Sequence, residues 1–400
     1  MGKLAIVGGK PVRDSMLAYG RQFIDDDDIG AVVNVLKSDY LTTGPTIERF
    51  EKELSEYVGS SYAVTFSSGT AALHAACFAA GVTEGAEVIT TPITFVASAN
   101  CVLYSGGTPV FADVDPIHYN IDPVSVEKLV TEKTKAIIPV DFTGQPADYK
   151  ELRRIADENG LVIIEDGAHA LGAEYEGKKV GSFSDMTMFS FHPVKHITTG
   201  EGGVITTDNP VFYEKLKLFR THGITRDTHQ LEQNRKSWEY EMQFLGYHYR
   251  MTDIQAALGS SQLNKLERFL TLRRAYAAKY DEAFRNLEGV EIPCQLKDTK
   301  SSWHLYVLRL SGKLAPLRTE VFESLRAENI GVNVHYMPVH LQPHYQRLGY
   351  GPNQCPVAEE LYEHILTLPL FPGMSEADVK DVITAVRKVA GHFSAKAGKP

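Results

Sequence analysis

Lys195 is the residue whose setting most clearly suggests chemistry. It lies in the segment SFHPVKHITTGEGG, residues 190–203, between an apolar strand-like run and a glycine-rich turn. Pro193 and the small residues that follow indicate a rigid loop that approaches its neighbours closely. A lysine held there can be partly desolvated and can form a Schiff base. A lone loop lysine is more often a solvated charge, so this interpretation depends on what surrounds it.

A carboxylate and a histidine follow another apolar run, LVIIEDGAHALGA, residues 161–173. Here an aliphatic strand leads into Glu165 and Asp166, and His169 comes shortly after. A carboxylate at the end of a strand is often a turn former or a helix cap. Next to a Schiff-base lysine, such a carboxylate can have a catalytic role. An ionised Asp166 would keep the pyridine nitrogen of pyridoxal 5′-phosphate (PLP) protonated and so make PLP a better electron sink.

A third segment, SSGTAALHAA from Ser67, places a glycine-containing turn at the start of a helix. The unpaired backbone N–H groups and the dipole of such a helix start can hold a dianionic phosphate. Many helices begin in this way without binding anything. The segment gains meaning only together with Lys195 and Asp166.

The elements that must position these residues alternate between strand and helix. Short apolar runs such as YAVTF, EVITTP, KAIIPVDF and LVIIED are separated by helical segments over about residues 60–210. This pattern predicts βαβ units in a largely parallel, doubly covered sheet, which is an α/β core. Open parallel sheets bind ligands beyond the carboxyl ends of their strands, where the three segments lie.

Further helical and strand patterns complete the organisation. Asp25–Asp28 is expected to form the first turn of a helix rather than a metal site, and residues 252–287 keep helical spacing long enough to bridge two domains. The runs HLYVLRL and VNVHYMPVHL read as strands of a smaller α+β domain. Residues 172–179 resemble a P-loop but have Lys179 where the motif requires Ser or Thr, so we predict a hairpin turn there. We predict domains at 1–255 and 256–394, with a disordered tail at 395–400.

Composition excludes several classes of function. The chain has 400 residues, and its 41 basic and 50 acidic side chains give a net charge of −9, which argues against nucleic acid as a partner. No apolar run approaches the roughly 18 to 20 residues that cross a bilayer, and the start of the chain lacks a secretory signal. We therefore expect a cytoplasmic protein without a membrane partner. The four widely spaced cysteines predict reduced thiols and no zinc cluster.

The three segments, in this order, resemble the DegT/DnrJ/EryC1/StrS family of PLP-dependent sugar aminotransferases. The resemblance covers nearly the whole chain and includes LTTGPTIERFEKEL, TPITFVASAN, VDFTGQPADY, FRTHG, GYHYRMTDIQAALG and NVHYMPVH. It implies the fold type I, aspartate-aminotransferase-like architecture. That fold has a large domain with a mixed, mostly parallel seven-stranded sheet and a smaller α+β C-terminal domain.

The resemblance also implies roles for individual residues. Lys195 is expected to form the Schiff base with PLP and to act as general acid and base, while Asp166 faces the pyridine nitrogen. Phe95 is expected to stack on the ring and His169 to lie near the 3-hydroxyl group, although a core aromatic and a buried structural histidine remain the alternatives. The expected phosphate contacts are Ser68, Gly69, Thr70, Ser190 and, from the neighbouring subunit, His248. The family usually has Asn at the last of these positions, and an imidazole N–H can still donate there.

The family further implies the reaction and its partners. We expect a homodimer with shared active sites that moves an amino group from L-glutamate to a nucleotide-linked keto-sugar. The motifs AYGRQFID, FSFHPVKHITTGEGG and SSWHLYVL resemble those of C4 aminotransferases of pseudaminic acid biosynthesis, which act on UDP-linked 4-keto-6-deoxy-N-acetylhexosamines. The expected substrate contacts are Thr43, Gly44, Trp238, Tyr240, Tyr249, Arg250, His335, Tyr336 and His340. His335 and His340 lack a third ligand nearby, so we predict no metal site.

Other functions stay open at this point. C3 or perosamine-type aminotransferases of the same family fit the same motifs. A PLP-dependent sugar dehydratase is less consistent, because the related 3-dehydratases have histidine in place of the lysine, and here His196 only follows Lys195. A non-catalytic PLP-fold regulator or a sugar-nucleotide binding module would need neither Lys195 nor Asp166.

Overall fold

A mixed seven-stranded sheet forms the centre of the protein in the computed structural model, which describes residues 3–227, 231, 236 and 238–396. This sheet confirms the predicted α/β core. The strands of the described residues are β1 (Tyr62–Phe66), β2 (Glu87–Thr90), β3 (Thr108–Phe111), β4 (Thr134–Ile138), β5 (Val162–Asp166), β6 (Glu174–Tyr175), β7 (Lys178–Lys179), β8 (Met186–Ser190), β9 (Gly203–Thr207), β10 (Ile224–Thr225), β11 (Glu241–Met242), β12 (Val290–Glu291), β13 (Thr299–Lys300), β14 (Tyr306–Leu310) and β15 (Ile365–Leu368).

Helices cover both faces of this sheet and build the C-terminal part. They are α1 (Asp26–Leu36), α2 (Pro45–Val58), α3 (Gly69–Ala79), α4 (Ala97–Tyr104), α5 (Pro123–Leu129), α6 (Tyr149–Asn159), α7 (Pro210–Phe219), α8 (Asp253–Leu263), α9 (Leu266–Phe284), α10 (Arg318–Ala327), α11 (Pro343–Arg347), α12 (Pro356–His364) and α13 (Glu376–Lys396). None of these helices combines the length and apolar character needed to cross a bilayer.

The strand order of the large sheet brings the predicted site residues to one edge. The order is β1-β9-β8-β5-β4-β2-β3, with β9 antiparallel to both of its neighbours and the other pairs parallel. The carboxyl ends of β1, β2, β4, β5 and β8 therefore meet the amino end of β9. Ile138 and Ile164 pack with α3 on one face, while Ile137 and Ile163 pack with α6 on the other. Buried on both faces, these strands consist of almost continuous apolar residues.

A second core lies in the C-terminal part of the chain. It combines the antiparallel sheet β12-β14-β15 with α9, α10 and α13. Leu4 and Leu17 also belong to this core, and the backbone N–H groups of Ala5 and Val12 donate to the carboxylate of Glu328. The N-terminal segment therefore packs against the C-terminal part, although the predicted division placed it with the large domain. The boundary at residue 255 stays a prediction.

The long helical pattern at residues 252–287 is two helices rather than one. A capping box of Thr252 and Gln255 starts α8, and α9 begins after Asn264 and Lys265. The ammonium group of Lys265 lies 3.0 Å from Oδ1 of Asp28 and also pairs with Asp25. Because apolar spacing continues across a two-residue interruption, periodicity alone does not detect it.

Four smaller predictions have different outcomes. Asp25 caps α1 as expected, and β6 and β7 form the predicted hairpin. The run VNVHYMPVHL is not a strand, since after an isolated bridge between Asn333 and Thr367 the backbone leaves the sheet and the N–H of Val339 donates to Pro92 instead. The predicted disordered tail is wrong for residues 395 and 396, which continue α13, and its residues 397–400 lie outside the described part of the chain.

Candidate active site

A cavity of about 450 Å³ opens at the carboxyl edge of the large sheet. Its walls come from the loops after β1, β2, β5 and β8, together with residues from the N-terminal segment and the C-terminal part. Ten of the predicted site residues line it: Ser68, Gly69, Thr70, Phe95, Asp166, His169, Ser190, Lys195, His335 and Tyr336. The structure therefore brings together the three sequence segments that suggested chemistry.

Lys195 lies in the turn after β8, where its backbone N–H donates to the carbonyl of His192 at 2.9 Å. Its side chain is half-buried and lines the cavity. Burial lowers the pKa of the Lys195 amine to about 8, against the opposing effect of the Asp166 carboxylate. An amine with this pKa is partly unprotonated near neutral pH, and the unprotonated form is the nucleophile that attacks a carbonyl.

Asp166 ends β5 and is 4% exposed. Its Oδ2 accepts a hydrogen bond of 2.6 Å from the hydroxyl of Ser98, and its Oδ1 accepts one of 3.1 Å from the N–H of Ala168. Burial raises the pKa of Asp166, whereas these two hydrogen bonds and the charge of Lys195 lower it. The two donors fix the carboxylate in one orientation, and a cationic partner in the cavity would favour its ionised form.

The start of α3, at Ser68, Gly69 and Thr70, lies against Ser190 at the end of β8 and Gly203 at the start of β9. We call this group of residues the cradle. Ser68 caps the helix by accepting from the N–H of Ala71, and among the described residues the N–H groups of Gly69 and Thr70 have no partner. Gly203 permits the close approach, because a Cβ on it would lie 2.6 Å from the backbone nitrogen of Gly69. Two free N–H groups at the positive end of an eleven-residue helix suit a phosphate group.

His169 and Tyr336 form the deep side of the cavity. The ring nitrogen Nε2 of His169 lies 3.3 Å from the hydroxyl oxygen of Tyr336, and its buried Nδ1 has no partner among the described residues. Burial, followed by the charge of Lys195, lowers the pKa of His169 well below its usual value, so the imidazole is neutral. The ring of His304 lies 4.4 Å from that of His169.

Phe95 forms part of another wall and is unusually exposed for a phenylalanine. Its side chain is 59% accessible, and its ring lies 6.5 Å from that of Tyr336. The alternative interpretation of Phe95 as a core aromatic is therefore wrong. An exposed ring in a cavity gains most when a flat group covers it.

These features fit PLP group by group. The cradle at Gly69 and Gly203 suits the phosphate, Asp166 suits a protonated pyridine nitrogen, and Lys195 suits the aldehyde. Phe95 offers a face for the ring. Within the described part of the chain, no group of three or more His, Cys, Asp or Glu side chains is arranged to hold a metal ion.

Besides His340, seven predicted residues do not line the cavity of their own chain. Trp238 and Tyr240 are 71% and 54% exposed, and the N–H of Gly44 donates to Asp253 at the start of α2. The ring of His248 stacks on that of His222 with 5.5 Å between centroids. The whole set is Thr43, Gly44, Trp238, Tyr240, His248, Tyr249 and Arg250.

His340 is the predicted substrate contact that the structure contradicts. Its side chain is fully buried, with Nε2 2.9 Å from Oε1 of Glu359 and the ring packed near Phe111. It holds the C-terminal part together and has no surface to offer a substrate. Of the two histidines in NVHYMPVH, only His335 reaches the cavity.

Sequence reasoning missed three residues of the site. Tyr19 lines the cavity beside His335, with 5.3 Å between ring centroids, and His304 lines it beside His169. Ser98 orients Asp166. All three lie in segments that carried the family resemblance, AYGRQFID, SSWHLYVL and TPITFVASAN, and this was the available signal.

Comparisons with known proteins agree with this geometry. A model of the DegT/DnrJ/EryC1/StrS aminotransferase family matches residues 22–387. The spore coat polysaccharide biosynthesis protein SpsC of Bacillus subtilis (strain 168) is 41% identical over 380 residues, which cover 94% of this chain and 98% of SpsC. Helicobacter pylori PseC, an aminotransferase involved in the biosynthesis of pseudoaminic acid, superposes with a TM-score of 0.88 at 36% identity and covers 95% of this chain and 100% of PseC.

A further solved structure bears on the cofactor. Spr1654 from Streptococcus pneumoniae, in its PMP form, superposes with a TM-score of 0.89 at 33% identity, over 94% of this chain and 100% of Spr1654. The match to the family model spans most of the chain, and the relatives align over nearly their full length. The predicted fold class, cofactor and class of enzyme are thereby confirmed. The chain belongs to the DegT/DnrJ/EryC1/StrS aminotransferase family and is a PLP-dependent enzyme of fold type I.

Proposed function

We propose that this enzyme transfers an amino group from L-glutamate to the keto group of a nucleotide-linked 4-keto-6-deoxy sugar. The carrier we propose is UDP, the sugar an N-acetylhexosamine, and the aminated position C4. The observation that carries the transfer itself is the position of Lys195, a depressed-pKa amine in one cavity with Asp166 and a phosphate cradle. The similarity to PseC, at 36% identity, supports the choice of sugar.

Lys195 has two roles in this proposal. Its Nζ would hold the cofactor covalently and would be a free amine once an amine substrate has taken its place. The free amine would take the proton from the α-carbon of the donor and deliver it to the cofactor, and in the second half-reaction it would move a proton from the cofactor to the carbon that receives the amino group. Its pKa of about 8 suits both directions, since the group gains and loses a proton readily near neutral pH.

PLP supplies an aldehyde that holds the amine and a pyridine ring that withdraws electrons from the carbon losing its proton. Asp166 would hold the charge on the pyridine nitrogen, with Ser98 keeping the carboxylate in place. The N–H groups of Gly69 and Thr70 and the hydroxyl of Ser190 would bind the phosphate. The neutral His169, with its free Nδ1, would lie against the 3-hydroxyl group.

We further propose a homodimer in which each subunit completes the cavity of the other. Among the predicted contacts outside their own cavity, Trp238 and Tyr240 are exposed aromatic residues. His248 is exposed as well and would donate to the phosphate of the neighbouring site. His335, Tyr336 and the newly found Tyr19 would contact the sugar from within the chain.

The experiment incubates the holoenzyme with L-glutamate and a panel of UDP-, GDP- and dTDP-linked keto-sugars, followed by mass spectrometry. We expect an amino-sugar product from a UDP-linked 4-keto-6-deoxy sugar and one 2-oxoglutarate for each amino group transferred. Amination at C3, or of a GDP-linked sugar, would contradict the proposed substrate while keeping the reaction. Loss of a sugar hydroxyl without matching consumption of glutamate would contradict the reaction itself.

A further inference from the structure

Arg273 is a buried charge close to the site. It lies on α9 with 1% of its side chain exposed, and its Nη1 donates to the carbonyl oxygens of Trp303, His304 and Leu370 at 3.2, 3.1 and 2.8 Å. Its Nε is buried without a partner in the described part of the chain. All three partners are neutral carbonyls, so none of these hydrogen-bond partners carries a negative charge that would offset the charge of the guanidinium.

Such a charge is costly to bury. Removing an ion from water without an opposite charge costs several kcal/mol, and bonds to carbonyls offset only part of that cost. Burial alone lowers the pKa of Arg273 to about 9, which leaves the group protonated at neutral pH. A methionine would fill similar space without this cost, so the charge is the property that needs a reason.

The carbonyls that Arg273 binds belong to a segment on the wall of the cavity. His304 lines the cavity and packs against His169, while the carbonyl of Ser302 lies 3.2 Å from Nε2 of His196, next to Lys195 in the chain. The rings of His196 and His304 are 5.4 Å apart. Arg273 therefore supports the layer of imidazoles that lies behind Lys195.

The charged and titratable groups around Lys195 come from every element packed against it. Two carboxylates line the cavity with Lys195, the buried Asp166 and the exposed Glu201, and Tyr19 and the exposed His192 line it as well. The other groups are cationic or neutral, and they are the buried His169, His196, Arg273, His304 and His335 and the half-buried Tyr336. Burial lowers the pKa of Lys195 most, Asp166 raises it, and the charge of Arg273 lowers it again. Burial also lowers the pKa of the four buried histidines, so they remain neutral near pH 7.

We propose that Arg273 is a positioning residue of the active site: it holds His304 against the cavity and supplies a buried positive charge near the Lys195 amine. This inference rests on the proposed role of Lys195 and adds a residue that touches neither cofactor nor substrate. Without the charge, burial alone opposes the effect of Asp166 on the pKa of Lys195, and a larger share of the amine is protonated at neutral pH.

The test measures how readily Lys195 reacts in the cofactor-free, full-length protein. Formaldehyde and cyanoborohydride methylate unprotonated amines, and peptide mass spectrometry reads the extent at Lys195 from pH 6 to pH 10. The neutral variants are Arg273→Met and Arg273→Gln, and Arg273→Lys keeps the charge. The matched control is Arg274→Met, because Arg274 also bonds to carbonyls of this region, those of Ser301 and Gly172, but is half-exposed.

We expect both neutral variants to label Lys195 about three to ten times more slowly at pH 7, with the midpoint moved to higher pH, since each pKa unit changes the unprotonated fraction about tenfold. Arg273→Lys and Arg274→Met should label as the wild type does. Unchanged labelling in the neutral variants, or an equal change in Arg274→Met, would overturn the proposal. Neutral variants that fail to fold while Arg274→Met folds would also overturn it, because Arg273 would then be a structural residue.

This result is separable from the proposed function. Labelling of the cofactor-free protein does not depend on whether Lys195 ever carries PLP. A wild-type protein with the expected labelling profile, but with no cofactor attached to Lys195 after reconstitution, would contradict the proposed role of Lys195 and leave the effect of Arg273 measurable.

Discussion

The cavity has two walls of different construction. The wall at the edge of the large sheet is formed by strand ends and a helix start, and it holds Lys195, Asp166 and the cradle at Gly203. The opposite wall is formed by side chains from distant segments, Tyr19, His304, His335 and Tyr336 among them. The first wall is fixed largely by backbone geometry and suits a constant cofactor, whereas the second can vary by substitution and suits a particular substrate.

Replacing Lys195 tests the first wall most severely. Lys195→Ala should lower turnover at least about 10⁴-fold, because covalent anchoring and proton transfer are lost together. The fold should persist, since the side chain is half-buried and has no hydrogen-bond partner among the described residues. Turnover with glutamate and keto-sugar, together with circular dichroism, measures both. Retained turnover would show that the chemistry does not depend on Lys195 and so does not belong to the first wall.

Asp166→Asn should have the next largest effect. A neutral amide cannot balance a charge on the pyridine nitrogen, and loss of one partner from a buried ion pair costs about 3 to 5 kcal/mol. Both half-reactions should therefore slow by about 150- to 5,000-fold while the cofactor still binds. Stopped-flow absorbance of each half-reaction separates this effect from binding. Unchanged rates would contradict the electrostatic role of Asp166.

The cradle is tested by Gly203→Ala. The added Cβ would lie 2.6 Å from the backbone nitrogen of Gly69, and relief of such overpacking costs about 1 to 3 kcal/mol. We expect PLP affinity to fall about tenfold or more, read by fluorescence titration. Gly30→Ala is the control, because a Cβ there meets nothing within 4 Å and should leave affinity unchanged. Equal affinities in the two variants would show that the cradle does not bind the phosphate.

Ser98→Ala removes the hydroxyl that orients Asp166. Hydrogen bonds to charged groups contribute about 1.5 to 3 kcal/mol, so we expect kcat to fall about tenfold or more. Ser105→Ala is the matched control on the same helix region, since its hydroxyl only donates to the carbonyl of Cys101 at 3.1 Å. Equal kcat values for both variants and the wild type would remove Ser98 from the site.

Tyr336→Phe addresses the second wall and should have the smallest effect. Loss of one hydroxyl contact costs about 0.5 to 1.5 kcal/mol, which corresponds to a KM for the keto-sugar raised about two- to tenfold. PLP affinity should stay at the wild-type value. A loss of PLP affinity larger than the change in KM would show that the two walls do not divide cofactor from substrate.

The difference between the walls also explains what the sequence could predict. Strand ends and the turn before α3 leave local signals, since apolar runs, Ser-Gly turns and the glycines near Gly203 are adjacent in the chain. Lys195, Asp166 and the phosphate contacts of the first wall were therefore predicted from motifs, although Ser98 was missed. Tyr19 and His304 reach the cavity only because the N-terminal segment and the second core fold against it, and no local pattern records such a contact.

The errors have the same physical origin. His340 and His335 are five residues apart in one motif, yet one is buried against Glu359 and the other faces the cavity. The run around His335 has strand-like composition, but tertiary contacts draw it off the sheet. At the break between α8 and α9, Lys265 pairs with Asp25 and Asp28, which lie about 240 residues away in the chain.

The most direct test of the central claim is the identity of the residue that carries the cofactor. The holoenzyme is reduced with borohydride, digested and mapped by mass spectrometry. We expect Lys195 to bear the reduced cofactor adduct in near-stoichiometric yield, and we expect no adduct in Lys195→Ala. An adduct on another lysine, or none after reconstitution with PLP, would contradict the central claim.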